Sequence, residues 1–93
     1  MLFLLNKTAC DAVDQVKLLG GDEDKELLLV QDAVFYASGP MLERFQEAGV
    51  ETVYAAKDAV AERAVAVDGS VEVVDYDRIV ELIMEDHDKV VCI

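Results

Sequence analysis

Short apolar runs alternate with helix-patterned segments along the whole chain, and no other property narrows the fold so sharply. Met1-Leu-Phe-Leu-Leu5, Leu27-Leu-Leu-Val30, Thr52-Val-Tyr-Ala-Ala56, Val71-Glu-Val-Val74 and Lys89-Val-Val-Cys-Ile93 read as five strands. The first two are apolar at every position, as strands covered on both faces of a parallel sheet are. After the first run, Thr8 is placed to cap a helix, with Asp11 three residues later. Ala9, Ala12, Val13, Val16 and Leu19 follow at helical spacing, and Gly20-Gly21 form the stop. Ala33 to Ala37 supplies a helical turn or two before Ser38-Gly39-Pro40 interrupts it. A helix then runs from about Met41 to Ala48, with Leu42 and Phe45 inward and Gly49 at its end. Asp58 is expected to cap a short helix bearing Val60, Ala61 and Ala64. Asp75 is expected to cap the last helix, where Tyr76, Ile79, Val80 and Ile83 make an i, i+3, i+4, i+7 stripe. No Asn-Gly type hairpin turn joins any two strands. Strict alternation implies right-handed crossovers. The expected architecture is a three-layer α/β/α domain over residues 1–93, with a five-stranded parallel sheet.

Composition limits what such a domain can do. A chain this small buries only roughly 60–65% of its unfolded surface, so its core needs many apolar residues, and the 54% hydrophobic content provides them. The same content is too high for a disordered chain. The net charge is −12, and both halves of the chain are acidic, so the charge is not a detachable tail. A field of that sign repels phosphate backbones and anionic membrane surfaces, which disfavours direct nucleic-acid binding. The longest apolar runs reach only four or five residues, against the ~20 that span a bilayer. The opening run follows no basic segment and is too short for a secretion signal. The expectation is a soluble cytoplasmic protein with Cys10 and Cys92 both reduced.

In an open parallel sheet, ligands and chemistry gather at the carboxyl ends of the strands. The segments selected by that rule are Asn6 to Cys10, Gln31 to Tyr36, Lys57-Asp58 and Asp75-Tyr76. The first contains no glycine, which excludes the Gly-rich phosphate loops of flavodoxin-like, dinucleotide-binding and P-loop proteins. A receiver domain needs an acidic pair where Asn6-Lys7 stands. A Cys-x5-Arg phosphatase loop needs arginine where Val16 stands. One histidine and two distant cysteines are too few for zinc, so neither metal nor cofactor is expected. His87, in the acidic stretch Glu85 to Asp88, reads as a solvated residue near a helix end.

Four positions remain informative. Cys10 is expected about two residues into a helix N-terminus, where thiolates are stabilised, although the adjacent Asp11 opposes this. It is either a small semi-buried residue with no chemistry or a thiol with a persulfide-carrying or exchange role. Cys92, between Val91 and Ile93, reads as core filler. Asp32 directly follows a buried strand and must find donors or solvent. It either caps the next helix through backbone N–H groups or contacts a ligand or subunit. Phe35-Tyr36 beside the sheet edge is core or interface, and aromatic residues often anchor interfaces.

The segment Leu27 to Ala37, with Gln31-Asp32-Ala33-Val34-Phe35 at its centre, resembles the Leu-rich Gln-Asp-Gly-Val signature of the DsrH/TusB proteins. Val53 to Arg63 is similar to the Leu-Tyr-Ala segment that follows it in that family. Val73-Val-Asp75-Tyr76 is similar to the family's ending, and Leu4 to Thr8 to its opening. The resemblance covers nearly the whole chain in order. It implies a small subunit of a sulfur-relay assembly, partnered by DsrE/TusD-like and DsrF/TusC-like chains of the same fold, or self-associated. Such assemblies pass persulfide sulfur toward 2-thiolation of the tRNA wobble uridine or toward sulfur oxidation. The resemblance also implies that the principal sulfur-carrying cysteine belongs to the DsrE-type partner. Gln31, Asp32, Phe35 and Tyr36 are the expected ligand or subunit contacts. The alternative is a sulfurtransferase in its own right, with Cys10 accepting the persulfide. Two departures stand out. Ala33 replaces the signature's glycine, which implies that no positive φ is needed there, and Ala64 stands where glycine usually follows Arg63.

Overall fold

The structure, a computed structural model, describes residues 1–8, 11–85 and 89–93. Its elements follow the order β1 (Leu2–Leu5), α1 (Ala12–Gly20), β2 (Lys25–Leu29), a 3-10 segment (Gln31–Tyr36), α2 (Pro40–Glu47), β3 (Val50–Ala56), α3 (Lys57–Arg63), β4 (Val71–Val74), α4 (Tyr76–Met84) and β5 (Val90–Cys92). All strand pairs are parallel, and the sheet order is β4-β3-β2-β1-β5. Leu2 pairs with Glu26 on one side and Val90 on the other, so β1 lies between β2 and β5.

That order explains how the layers divide. Successive right-handed crossovers from β1 to β4 all step the same way, which puts α1, the 3-10 segment, α2 and α3 on one face. The return from β4 to β5 crosses the other face and carries α4 with it. Side-chain alternation along the strands follows suit. Phe3, Leu5, Leu27, Leu29 and Val53 pack with Val13, Val16 and Phe45 on the first face. Leu2, Leu28, Tyr54 and Val74 pack with Leu82 on the second. The three-layer α/β/α architecture with five parallel strands is thus present, but its outer layers are unequal.

Helix α2 matches its sequence pattern closely, with Pro40 in its first turn, Leu42 and Phe45 buried, and Gly49 beyond it at φ +96°. Other expectations need correction. Helix α1 begins at Ala12 with Asp11 as its N-cap residue, not at Thr8, and Leu19 stays exposed. Asp58 does not cap α3, because β3 runs to Ala56 and the chain turns into the helix at once. Ala56 itself holds the cap position without a side-chain hydrogen bond, and Ala59 is the buried residue of the helix. Asp75 does cap α4, its Oδ1 accepting from the Arg78 N–H at 2.9 Å. The stripe expected to face inward there is only half right. Leu82 is fully buried and Ile79 and Ile83 flank it, whereas Tyr76 and Val80 turn outward.

The first layer holds one buried charge among the described residues, Lys25, 6% exposed. Its Nζ donates to the carbonyls of Gly21 (2.6 Å) and Glu23 (3.2 Å), just beyond α1. Its stem lies where a Cβ on Gly20 would come within 2.5 Å of Cε. The glycine therefore serves the lysine as well as the helix end.

Candidate functional site

Parallel strands bring the ends of β1, β2, β3 and β4 to one edge, and the 3-10 segment after β2 dominates it. Ala33 and Val34 bury themselves and anchor this segment. Their burial leaves Gln31, Asp32 and Phe35 outward. Gln31 has φ +51°, a conformation that costs a non-glycine residue energy and survives only where its surroundings enforce it. The positive φ sits two residues before Ala33, so the signature's glycine position needs none, as its replacement by alanine implies.

Asp32 does not cap the segment, since no side chain caps it. Instead Arg63 Nε donates to Asp32 Oδ1 at 2.9 Å, and a second guanidinium nitrogen lies 3.5 Å from Glu62. This pair ties the 3-10 segment to the end of α3. Phe35 is 52% exposed. Tyr36 is half-buried, with its ring 6.2 Å from that of Phe45 and tilted by 53°, a favourable aromatic geometry. The two aromatics thus part company, Phe35 facing out and Tyr36 leaning into the core.

An open depression of about 230 Å³ lies where the end of β1, the start of α1 and β5 meet. Lys7, Asp11, Gln15 and Cys92 supply its polar and thiol groups, and Leu5 and Leu19 its apolar wall. Cys92 is a free, exposed thiol, which overturns its assignment to the core. The reason is position. β5 is a three-residue strand at the sheet's edge, paired only with β1.

Cys10 lies outside the described residues, as does His87. The N-cap position of α1 holds a carboxylate, Asp11.

On the opposite face, Tyr54 Oη donates to Glu26 Oε1 at 2.5 Å beneath α4. Burial first, then this hydrogen bond and the negative charges of Glu26 and Glu72, raise the Tyr54 pKa, against a smaller opposing effect of Arg78. Sequence inspection finds neither this pair nor Arg63. Their partners stand 28 and 31 positions away, and no local pattern marks them.

Fold and edge together define a small parallel α/β/α protein whose carboxyl edge leaves Gln31, Asp32 and Phe35 exposed. The family described as DsrH like protein matches residues 8–90, and the chain belongs to it. Proteins of that family are generally part of sulfur-relay complexes, and membership suggests a sulfur-relay subunit. A search of the curated proteins gives no match. Among the described residues, no helix is long and apolar enough to cross a membrane.

Proposed function

We propose that this chain is a small, non-catalytic subunit of a DsrEFH- or TusBCD-like sulfur-relay complex in the cytoplasm, acting as one domain over residues 1–93. The family match over residues 8–90 carries this proposal. In such a relay a terminal persulfide sulfur passes from a donor to an acceptor thiolate. One S–S bond forms as another breaks, the donor leaves as a thiolate, and no external oxidant is needed. The chain's part is to present the Gln31, Asp32 and Phe35 surface to DsrE/TusD-like and DsrF/TusC-like partners, with Tyr36 bracing that surface from behind. The exposure of Phe35 supports this role, since an aromatic residue left in water gains by burial in an interface. The net charge of −12 argues that tRNA, where wobble uridine 2-thiolation is the outcome, is held by partners.

Co-expression with DsrE-type and DsrF-type chains followed by native mass spectrometry tests this proposal. A stoichiometric complex supports it, and an uncomplexed chain sinks it. Incubation with a persulfide donor separates it from a role as sulfurtransferase. If Cys10 gains the mass of one sulfur atom as fast as a genuine carrier, the non-catalytic assignment fails.

A further inference from the structure

Helix α4 carries apolar side chains on two sides, and the fold uses only one. Leu82 is fully buried against the sheet, with Ile79 and Ile83 beside it. On the far side Tyr76, Val80 and Met84 are 75%, 40% and 75% exposed. Their i, i+4, i+8 spacing stacks them into one stripe along the helix. Three of the seven large apolar residues left exposed among the described residues thus fall on one nine-residue helix, a concentration that marks a contact surface. The layer itself is thin. Five strands at about 4.8 Å spacing span about 19 Å, whereas one helix is about 10 Å wide. A single helix therefore leaves room on this face for a second element alongside it.

The margin of the stripe says what kind of surface it meets. Asp77 and Glu81 lie along it and Glu85 at its end, all exposed. Arg78, the helix's only cation, is half-buried and lies 3.6 Å from Glu81. A two-fold contact between copies would set the stripe against itself, with antiparallel helices meeting near Val80. Asp77 and Glu81 of each copy would then face the acidic margin of the other, between chains that each carry −12. Like charges placed opposite one another suppress such pairings, and opposite charges steer and align them.

We infer that the Tyr76–Val80–Met84 stripe of α4 docks a different protein chain, one presenting an apolar surface edged with lysine or arginine, and not a second copy of this chain. The inference rests on the subunit function proposed above and places a second contact on the face opposite the layer that holds Phe35.

The test uses the full chain with co-expressed DsrE-type and DsrF-type chains, read by native mass spectrometry and by titration at two salt concentrations. Met84→Glu and Tyr76→Glu are expected to weaken the complex about tenfold or more. Asp77→Lys is expected to weaken it and to flatten its salt dependence. Leu18→Glu, at an exposed apolar site on α1, leaves it unchanged. Circular dichroism establishes that each variant is folded, and both stripe positions are exposed enough to accept a charge. A complex that survives both α4 substitutions overturns this inference alone. A wild-type chain that dimerises by itself and loses the dimer on Met84→Glu makes a second copy the occupant and overturns it too. A wild-type chain that joins neither partner overturns the subunit function, and this inference with it.

Discussion

Arg63 Nε donates to Asp32 Oδ1 at 2.9 Å, linking the last turn of α3 to the first turn of the 3-10 segment. Asp32 is largely solvated, its side chain 63% exposed, and exposed pairs of this kind contribute only about 0–1 kcal/mol. The pair thus does more to orient the edge than to stabilise the fold. Arg63→Ala is expected to lower unfolding stability by less than about 1 kcal/mol in urea titrations. Binding to DsrE- and DsrF-type partners should fall by more than that loss accounts for. A variant that unfolds before it stops binding would return Arg63 to a purely structural role.

Phe35 and Phe45 are the same residue type ten positions apart, with opposite surroundings. Phe45 is fully buried in the first-layer core, so Phe45→Ala should cost about 3–5 kcal/mol. Phe35 is half in water, and Phe35→Ala should change stability by less than about 1 kcal/mol while weakening the complex. Thermal melts and native mass spectrometry on the same two variants decide between core and contact roles.

What the sequence made legible was set by how local each signal is. Runs such as Leu27 to Val30 and the stops at Gly20-Gly21 and Gly49 act within a few residues of themselves, so the strands, the interrupting Pro40 and the α/β/α order could be read directly. The Asp75 cap belongs to the same class, because its acceptor and donor are three positions apart. Failures occurred where a neighbour distant in sequence decides. Tyr76 and Val80 match the spacing of a buried stripe, yet α4 turns the side that holds Leu82 to the sheet and leaves both of them exposed. Cys92 has the flanks of a core residue, but its strand lies at an edge. Asp32, following a buried strand, needs donors or solvent, and its donor, Arg63, comes from another helix. The burial of Lys25 had no sequence signal, since the carbonyls it satisfies are exposed only by the way α1 ends.

Lys25 offers a direct measure of that hidden structure. Lys25→Met keeps most of the stem and removes the donor to the Gly21 and Glu23 carbonyls. Leaving such groups without their partner costs about 1–3 kcal/mol, and a loss in that range is expected in denaturant titrations. A neutral or stabilising result would mean that solvent already serves both carbonyls.

Tyr54 makes stability depend on alkaline pH with a defined sign. Its pKa is raised above the ordinary value by burial, by the hydrogen bond its hydroxyl donates to Glu26, and by the charges of Glu26 and Glu72. The folded state therefore holds the phenolic proton more tightly than the unfolded state does. Its contribution is fully present below the unfolded value near pH ~10 and is lost as pH rises above that. Urea midpoints of the wild type should fall between about pH 9 and 11 more steeply than those of Tyr54→Phe. Parallel curves for the two proteins would show that the hydroxyl is no better protected when folded.

Ala64 and Gln31 both hold a positive φ that only glycine adopts freely, +49° and +51°. Left-handed geometry costs other residues about 1–2 kcal/mol, and glycine gives back about 0.4–1 kcal/mol of that through its freer unfolded chain. Ala64→Gly, at the exposed C-cap of α3, should therefore stabilise the protein by about 0.5–1 kcal/mol and leave assembly unchanged. Gln31→Gly relieves the same strain and should stabilise by a similar amount. If the Gln31 side chain touches a partner, as proposed, the gain in stability will come with a weaker complex. The two variants separate strain from function because the backbone term is common to both. Thermal midpoints that fall for Ala64→Gly would refute the strain itself. A complex untouched by Gln31→Gly would show that the strained conformation, and not the side chain, is what the contact edge requires.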